Sequence, residues 1–197
     1  DIALRWNRFA QRGVQKEIIF LGADHHGYVV RLNAAMAALG YAKQLDVEIV
    51  QLVRLMKEGQ EVKMSKRAGT YVTLEEVVEE VGLDVARFFF LMRSVDAHLD
   101  FDLDLARNQS QENPVYYVQY AHARIASVVR KGAEAGLAPA TDHLDLLTAE
   151  VELELLRALL EFPEQIAEAA TQRAPHRLTH YVRGLAERFH RFYAECR

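Results

Sequence analysis

The first third of the chain has the pattern of hydrophobic and polar residues that is typical of a parallel α/β fold. The apolar run Ile18–Leu21 is closed by Gly22 and predicts a buried strand. The residues that follow predict a helix from about His25 to Leu39, which Asp24 can cap at its start. We expect Gly40 to end this helix, because glycine tolerates left-handed backbone geometry.

A second strand is predicted shortly afterwards. The segment from Val47 to Leu55 is apolar and rich in valine, and Glu58-Gly59 predicts a turn that leads the chain back toward Val62. The order strand, helix, strand is that of a parallel α/β sheet.

Helices are predicted after this strand region. Thr73 and Glu76 have the spacing of a capping box for a helix that Gly82 stops. Asp84 is then expected to cap Val85–Arg93, a segment too apolar for an exposed helix.

One short segment leaves two structures open. Residues Asp100–Leu105 alternate strictly between acidic and apolar side chains. This alternation predicts a strand, but Asp102 or Asp104 could equally cap a short helix.

The rest of the chain predicts a helical bundle. Asn113 followed by Pro114 marks the start of a helix that runs to about Lys131. Apolar stripes and proline positions predict further helices around residues 147–160, after Pro163, and from about Pro175 to Glu195. The predicted fold class is therefore α/β followed by all-α and mostly helical, with domains at 1–107 and 108–197.

The composition is that of an ordinary globular protein. Hydrophobic residues make up 50% and charged residues 26% of 197 positions. There is no apolar run of about 18 residues, so no membrane span is expected. A single cysteine, Cys196, excludes disulfide and cysteine-based metal frameworks and suits a cytoplasmic location.

The distribution of charge is uneven. The formal net charge is −4, which is not typical of a nucleic-acid-binding protein. Acids dominate residues 134–168, whereas residues 173–197 contain six arginines against two glutamates. This asymmetry is compatible with a basic face, and equally with a solvated amphipathic helix.

The run Lys63-Met64-Ser65-Lys66 carries the strongest indication of chemistry. Two lysines on a loop near Gly69 can bind a polyphosphate and release it again, because the lysine ammonium group is a compact, mobile charge with three hydrogen-bond donors. The alternative is a solvated basic turn. The exact four-residue motif favours a phosphate-handling site.

A second motif, Gly22–Gly27, lies where a strand feeds a helix. Ligands of open α/β sheets bind at the carboxyl ends of strands, and a carboxylate there can accept hydrogen bonds from ribose hydroxyls. By itself Asp24 is better interpreted as a plain helix cap. A metal site at His25 and His26 is not expected, since adjacent histidines on a helix diverge and no third ligand follows.

Aromatic residues are dense at the start of the long helix. Tyr116, Tyr120 and Arg124 have four-residue spacing and can stack on exposed RNA bases. The alternative is that the tyrosines pack against a neighbouring helix with their hydroxyls in water. Tyr193 could join this surface only if the two helices are neighbours.

Together these segments resemble the arginyl-tRNA synthetases, which are class I aminoacyl-tRNA synthetases. Lys63–Lys66 is similar to the second class I signature, and Gly22–Gly27 to the nucleotide-side element of the catalytic sheet. The linking region of the family is similar to Phe88–Arg93 together with His98–Asp102. The start of its helical anticodon-binding domain is similar to Asn113–Arg124. The nearest match to its Asp-Ala-Leu-Arg motif is Asp84–Arg87, in which two residues are out of pattern.

The resemblance implies a fold and a reaction. The fold is the carboxyl-terminal half of a Rossmann-like catalytic domain, followed by a helical-bundle anticodon-binding domain. The reaction joins arginine and ATP into arginyl-adenylate and transfers the arginyl group to tRNA(Arg), with Mg²⁺ accompanying ATP. A monomeric, cytoplasmic full-length enzyme without membrane association is expected.

The resemblance also implies roles for individual residues. Lys63 and Lys66 would hold the ATP phosphates and follow the charge as pyrophosphate leaves. The implied ATP-binding residues are Gly22, Asp24, His25, Met64 and Ser65, and those implied to contact tRNA are Tyr116, Tyr120 and Arg124. No residue is expected to bind a resident metal.

The chain departs from the family in one respect. It has no His-x-Gly-His element, which is the first class I signature, and it lacks the usual closing segment of the bundle. We therefore expect a fragment of a longer synthetase that cannot aminoacylate alone. The alternative is a free-standing RNA-binding module, but such a module has no physical need for the Lys63–Lys66 loop.

Overall fold

The computed structural model describes residues 1–62 and 72–196. Lys63, Met64, Ser65 and Lys66 lie outside the described residues. The backbone divides into two compact units, Asp1–Arg54 with Val95–Asp100, and Leu55–Ser94 with Phe101–Arg197. The expected domain boundary at residue 108 stays a prediction, because backbone compactness does not test it.

The first unit has the predicted strand–helix–strand order. Helix α1 (Ile2–Trp6) continues into a π-helical turn (Asn7–Gln11) and is followed by β1 (Glu17–Gly22). A 3₁₀ turn (Ala23–His25) leads into α2 (His26–Ala38), and β2 (Leu45–Val50) then pairs in parallel with β1. Ile19 lies opposite Val47 in this register. The predicted parallel pairing is confirmed.

Helix α2 buries only one face of β1. Leu32 and Met36 are each 1% exposed and pack in a cluster with Phe9, Ile19 and Leu45. Ile18 and Phe20 point to the opposite face because side chains alternate along a strand, and they are 41% and 64% exposed. The prediction of a buried β1 is therefore wrong for this face, which no described element of the unit covers.

The end of α2 is as predicted, but its start is not. Gly40 has φ of +86° just after the helix, so its predicted role is confirmed. Asp24 lies inside the 3₁₀ turn, and neither that turn nor α2 has a side-chain cap. The prediction of an Asp24 cap is wrong, because a cap residue must precede the first helical residue.

The predicted second strand is interrupted. β2 ends at Val50, and a separate strand, β3 (Val53–Lys57), begins three residues later. β3 forms a hairpin with β4 (Gln60–Glu61). The predicted turn is confirmed, because Glu58 and Gly59 both have positive φ, as a two-residue type I′ hairpin requires.

Capping explains the next two helices. α3 (Leu74–Val81) has the predicted capping box, in which the Thr73 hydroxyl accepts from the Glu76 amide at 3.1 Å and the Glu76 carboxylate accepts from the Thr73 amide at 2.7 Å. Gly82, with φ of +85°, ends α3 and is the cap position of α4 (Leu83–Leu91). Asp84 is therefore inside the first turn, and its predicted cap role is wrong.

The strand and the short helix that the sequence left as alternatives for Asp100–Leu105 both occur. β5 (Leu99–Asp102) lies on the other side of β3 from β4. Asp102 then caps α5 (Leu103–Arg107), because its carboxylate accepts from the amides of Asp104 and Leu105. Phe101 is fully buried, and its core cluster also contains Leu55, Val77, Phe89, Leu103, Ala106 and Val115.

The helical bundle forms the rest of the second unit. The helices are α6 (Pro114–Glu134), α7 (Glu150–Leu160), α8 (Phe162–Thr171) and α9 (His176–Glu195), with a 3₁₀ turn at Leu144–Leu146. α9 packs against α6, α7 and α8. Within the described ranges, no helix is both long and apolar enough to cross a membrane.

Candidate functional site

The end of β1 presents the predicted nucleotide-side residues. Gly22 is the last residue of β1, and a Cβ atom placed on it would lie 2.6 Å from the Asp24 Oδ1 atom. A side chain at position 22 would therefore displace the Asp24 carboxylate. Glycine at this position therefore leaves the Asp24 carboxylate in its place beside the strand end.

The carboxylate of Asp24 is open to solvent. Its side chain is 80% exposed, and its Oδ2 atom lies 3.6 Å from Nε2 of His25, which is 57% exposed. An exposed carboxylate with a neighbouring imidazole can accept hydrogen bonds from hydroxyl groups of a ligand. The structure thus brings Gly22, Asp24 and His25 together at the strand end.

Among residues 1–62 and 72–196, no group of three or more His, Cys, Asp or Glu side chains could hold a metal ion. The predicted phosphate-binding residues Lys63, Met64, Ser65 and Lys66 are outside this part of the chain, so their placement stays a prediction.

A buried asparagine positions the aromatic surface at the start of α6. Asn113 is 3% exposed, and its Oδ1 atom accepts from the amides of Val115 and Tyr116. Its Nδ2 atom donates to the carbonyls of Ala106 and Asn108 at 3.0 and 2.8 Å. One side chain thus caps α6 and fixes the loop that precedes it.

Tyr116, Tyr120 and Arg124 lie together on one face of α6, as their spacing predicts. The rings of Tyr116 and Tyr120 have centroids 6.4 Å apart and an interplanar angle of 9°. Arg124 donates a hydrogen bond from Nη2 to the Tyr120 hydroxyl. Tyr120 is 39% exposed, so the face is accessible to a ligand.

Helix α9 completes this surface. The guanidinium carbon of Arg124 lies 4.7 Å from the ring centroid of Tyr120 and 4.5 Å from that of Tyr193. We call these three residues the Tyr-Arg-Tyr stack. The condition for Tyr193 to join the surface, that the two helices are neighbours, is met.

Two grooves lie on either side of the stack. The first, of about 530 Å³, is lined by the loop Gln109–Gln111 and by Tyr116, Tyr117, Tyr120, Arg124 and His190. The second, of about 290 Å³, continues past Arg124 and Tyr193 toward Ser127 and Lys131. The arrangement offers planar rings for stacking, amide and hydroxyl groups for hydrogen bonds, and a lysine for a phosphate.

His190 lies beneath the first groove, in surroundings that disfavour its charged form. Its ring stacks on Tyr120 at 5.6 Å and meets Tyr117 edge-on at 4.8 Å. Burial lowers the pKa of His190 and the charge of Arg124 lowers it further, whereas a hydrogen bond with the Tyr117 backbone acts in the opposite direction. Its Nε2 atom is buried without a hydrogen-bond partner among the residues described.

Sequence reasoning missed part of this surface. Tyr117, His190 and the loop Gln109–Gln111 line the first groove but were not expected to. Tyr117 stands beside Tyr116 in the sequence, yet it points toward α9, where burial raises the pKa of its hydroxyl. His190 gives no signal in the sequence, since only the packing of α9 on α6 brings it to the groove.

The carboxyl-terminal part of the chain matches a known domain family. Residues 118–197 match the family model described as the DALR anticodon binding domain. This range contains Tyr120, Arg124, His190 and Tyr193. It begins after Asp84–Arg87, so it gives no support to that segment as the Asp-Ala-Leu-Arg motif.

Curated relatives are similar along nearly the whole chain. The chain is 54% identical over 195 residues to arginine–tRNA ligase of Listeria monocytogenes serotype 4a, and 55% identical over 196 residues to arginine–tRNA ligase 1 of Halalkalibacterium halodurans. Each alignment covers 98% of this chain and 35% of the relative. The chain therefore spans about a third of the length of these relatives.

Solved structures give the same result. A Campylobacter jejuni structure assigned as an arginyl-tRNA synthetase superposes with a TM-score of 0.86 and 36% identity, covering 99% of this chain and 42% of that one. The Thermus thermophilus arginyl-tRNA synthetase gives 0.68 and 27%, covering 93% and 33%. The resemblance and the fold class are therefore confirmed, and nothing in these relatives favours a free-standing RNA-binding module.

Proposed function

We propose that this chain is the part of an arginine–tRNA ligase that carries the ATP-phosphate loop and an anticodon-binding surface. In the whole enzyme, arginine and ATP form arginyl-adenylate, and the arginyl group then passes to tRNA(Arg). The names and the high identity of the curated relatives support this activity. We place the enzyme in the cytoplasm as a monomer, in line with the expectation from the sequence.

The phosphate chemistry is assigned to the lysine loop. Lys63 and Lys66 hold the ATP phosphates and follow the negative charge as pyrophosphate leaves, with Met64 and Ser65 completing the loop. Phosphoryl and adenylyl chemistry of this kind depends on positioning and electrostatic stabilisation, which mobile ammonium groups supply.

The adenosine end of ATP is assigned to the end of β1. The exposed Asp24 carboxylate accepts hydrogen bonds from the ribose hydroxyls, and Gly22 keeps the space that this carboxylate occupies. His25 borders the same site. Magnesium, when bound, would neutralise phosphate charge, and it would arrive with ATP because Mg²⁺ is commonly held by substrate phosphates and few protein ligands.

Recognition of tRNA is assigned to the Tyr-Arg-Tyr stack and its two grooves. Unpaired bases of an anticodon loop present both faces, so they can stack on Tyr116 and Tyr120 while the edge of Arg124 donates hydrogen bonds. The observation that carries this assignment is that Arg124 lies over the rings of both Tyr120 and Tyr193 on an exposed face. The match of residues 118–197 to an anticodon-binding family supports it.

A binding titration tests the tRNA assignment. The chain is titrated with tRNA(Arg), with a variant altered in its anticodon and with an unrelated tRNA, each at two salt concentrations. We expect the altered anticodon to weaken binding at both salt concentrations. Equal binding of all three that disappears at high salt would mean attraction to phosphate alone and would contradict anticodon recognition.

A second measurement tests the catalytic assignment. In the full-length enzyme, Lys66→Ala should strongly reduce arginine-dependent exchange of pyrophosphate into ATP while leaving tRNA affinity unchanged. Full exchange activity in this variant would contradict the role of the loop.

A further inference from the structure

The tip of the β3–β4 hairpin is tied to α5 by one carboxylate. Glu58 is the first residue of the two-residue turn, and its amide lies outside the pairs Lys57–Gln60 and Met56–Glu61 that form the ladder. Asp104, in the first turn of α5, accepts a hydrogen bond from this amide at 2.5 Å. Because Glu58 has φ of +53°, which is costly for a residue other than glycine, this bond also holds a strained conformation.

A second carboxylate reinforces the same contact. Glu80 of α3 lies 2.7 Å from Nη2 of Arg107 and 3.9 Å from Nζ of Lys57. Lys57 ends β3 and Arg107 ends α5. Glu80 thus pairs with the ends of β3 and α5, and the hairpin, α3 and α5 also share the core cluster around Phe101.

The chain on both sides of the lysine loop is anchored to that shared core. Val62 donates its amide to the Leu55 carbonyl at 2.8 Å and packs against the core cluster around Phe101. Val72 packs against the same cluster, and the Thr73–Glu76 capping box follows directly. The hairpin and its contacts with the core therefore fix Val62, the last described residue before Lys63.

We infer that Asp104 is a positioning residue for the ATP-phosphate chemistry. It fixes the hairpin tip on α5, and so it sets the register from which the lysines follow. This inference rests on the proposed function of Lys63 and Lys66. Displacing a catalytic group by about 1 Å can cost on the order of a hundredfold in rate, so loss of this tether should be measurable.

The experiment compares Asp104→Ala and Asp104→Asn in the full-length enzyme. The alanine variant loses the acceptor for the Glu58 amide, whereas the asparagine carbonyl can still accept from it. We expect Asp104→Ala to lower kcat of arginine-dependent pyrophosphate exchange by about tenfold. The KM for arginine and the affinity for tRNA should stay unchanged, and Asp104→Asn should restore most of the rate.

The chain offers a matched control. Asp84 occupies the same position in the first turn of α4 as Asp104 in α5, but among the described residues it makes no hydrogen bond to the β3–β4 hairpin. Asp84→Ala removes the same charge at the same place in a helix and should leave exchange unchanged. Amide hydrogen exchange of Glu58 gives an independent readout, since it should accelerate in Asp104→Ala only.

The outcomes separate this inference from the proposed function. If Lys66→Ala abolishes exchange while Asp104→Ala matches Asp84→Ala, the positioning role is wrong and the loop chemistry stands. An equal loss of rate in Asp104→Ala and Asp104→Asn would also contradict the inference, because it would point to the charge instead of the hydrogen bond. If Lys66→Ala keeps full exchange, the proposed function itself fails.

Discussion

The position of Arg124 against two tyrosine rings makes it possible to test whether it acts by planar stacking or only by its charge. Its guanidinium carbon lies over two tyrosine rings, 4.7 Å from the centroid of Tyr120 and 4.5 Å from that of Tyr193. We therefore expect Arg124→Ala to weaken binding of tRNA(Arg) by about tenfold or more, because it removes the hydrogen-bond donors and the group that holds the Tyr120 ring, on which stacking of a base is worth roughly 1–3 kcal/mol. Fluorescence titration of both proteins with tRNA(Arg) measures this change.

Two further variants decide the mechanism. Arg124→Lys keeps the charge but cannot stack as a planar group, so it should bind nearly as weakly as the alanine variant. Arg130→Ala removes an arginine of the same helix that donates to the Ser127 hydroxyl at 3.5 Å and does not line either groove, so this variant should bind normally. Full affinity of Arg124→Lys would contradict the stacking interpretation.

His190 should give the fold a dependence on pH. Burial lowers the pKa of its imidazole in the folded state. At pH values between this lowered pKa and the usual value near 6.5, the imidazole is mostly protonated in the unfolded chain and mostly neutral in the folded chain. Stability is then fully present above about pH 6.5 and is lost as the pH falls through the folded pKa. We expect His190→Gln to lose less stability than the natural chain between about pH 7 and 5.

Urea unfolding at several pH values tests this expectation. The relevant quantity is the change of the unfolding free energy with pH, because the substitution itself also alters packing against Tyr117 and Tyr120. His122→Gln, on the exposed part of α6, serves as the control and should keep the pH dependence of the natural chain. A pH dependence that is the same in His190→Gln would show that the ring titrates normally in the folded state.

At the scale of elements, the start of α6 depends on both ends of the Asn113 amide. Asn113→Ala removes the cap and leaves the carbonyls of Ala106 and Asn108 without their donor, so it should cost about 1–3 kcal/mol of unfolding free energy. Asn113→Asp keeps an acceptor for the helix amides but loses the donor. We expect it to be destabilised at least as much as the alanine variant, because a buried carboxylate oxygen would then face two carbonyl oxygens.

Equilibrium unfolding in denaturant gives both values. If Asn113→Asp is as stable as the natural chain, the hydrogen bonds to the two carbonyls contribute nothing. The same variants should lower tRNA affinity less than Arg124→Ala does, because they loosen the loop Gln109–Gln111 without removing a stacking group.

Helix ends were predicted well from single residues where the residue type has one structural role there, such as glycine at a position with positive φ. Gly40 and Gly82 take positive φ as expected, and Thr73 with Glu76 forms the capping box. Asp24 and Asp84 show the limit of such signals. An acid near a helix start can stand before the first helical residue or inside the first turn, and tertiary packing decides between the two.

At the scale of the whole molecule, the sequence predicted the order of elements but not which of them touch. The four-residue spacing of Tyr116, Tyr120 and Arg124 predicted a shared face. It could not predict that α9 brings His190 and Tyr193 to that face, because contacts between residues 70 positions apart leave no mark on local periodicity. The exposed side of β1 escaped prediction for the same reason, since burial depends on what covers a strand.

The net charge of the molecule leads to a last prediction. The chain carries a formal charge of −4, and the groove beyond Arg124 contributes one lysine, Lys131, toward a phosphate. Binding of tRNA should therefore release few counterions. We expect the slope of log K against log salt to be about −1, which corresponds to one or two phosphates at roughly −0.7 each.

Two variants give this slope a structural meaning. Lys131→Ala should make the slope shallower by about 0.7, because it removes one phosphate contact. Arg124→Ala should lower affinity at every salt concentration and leave the slope nearly unchanged, because its guanidinium acts on bases. A slope of about −4 or steeper would contradict this division, since phosphate attraction would then dominate binding by an acidic protein.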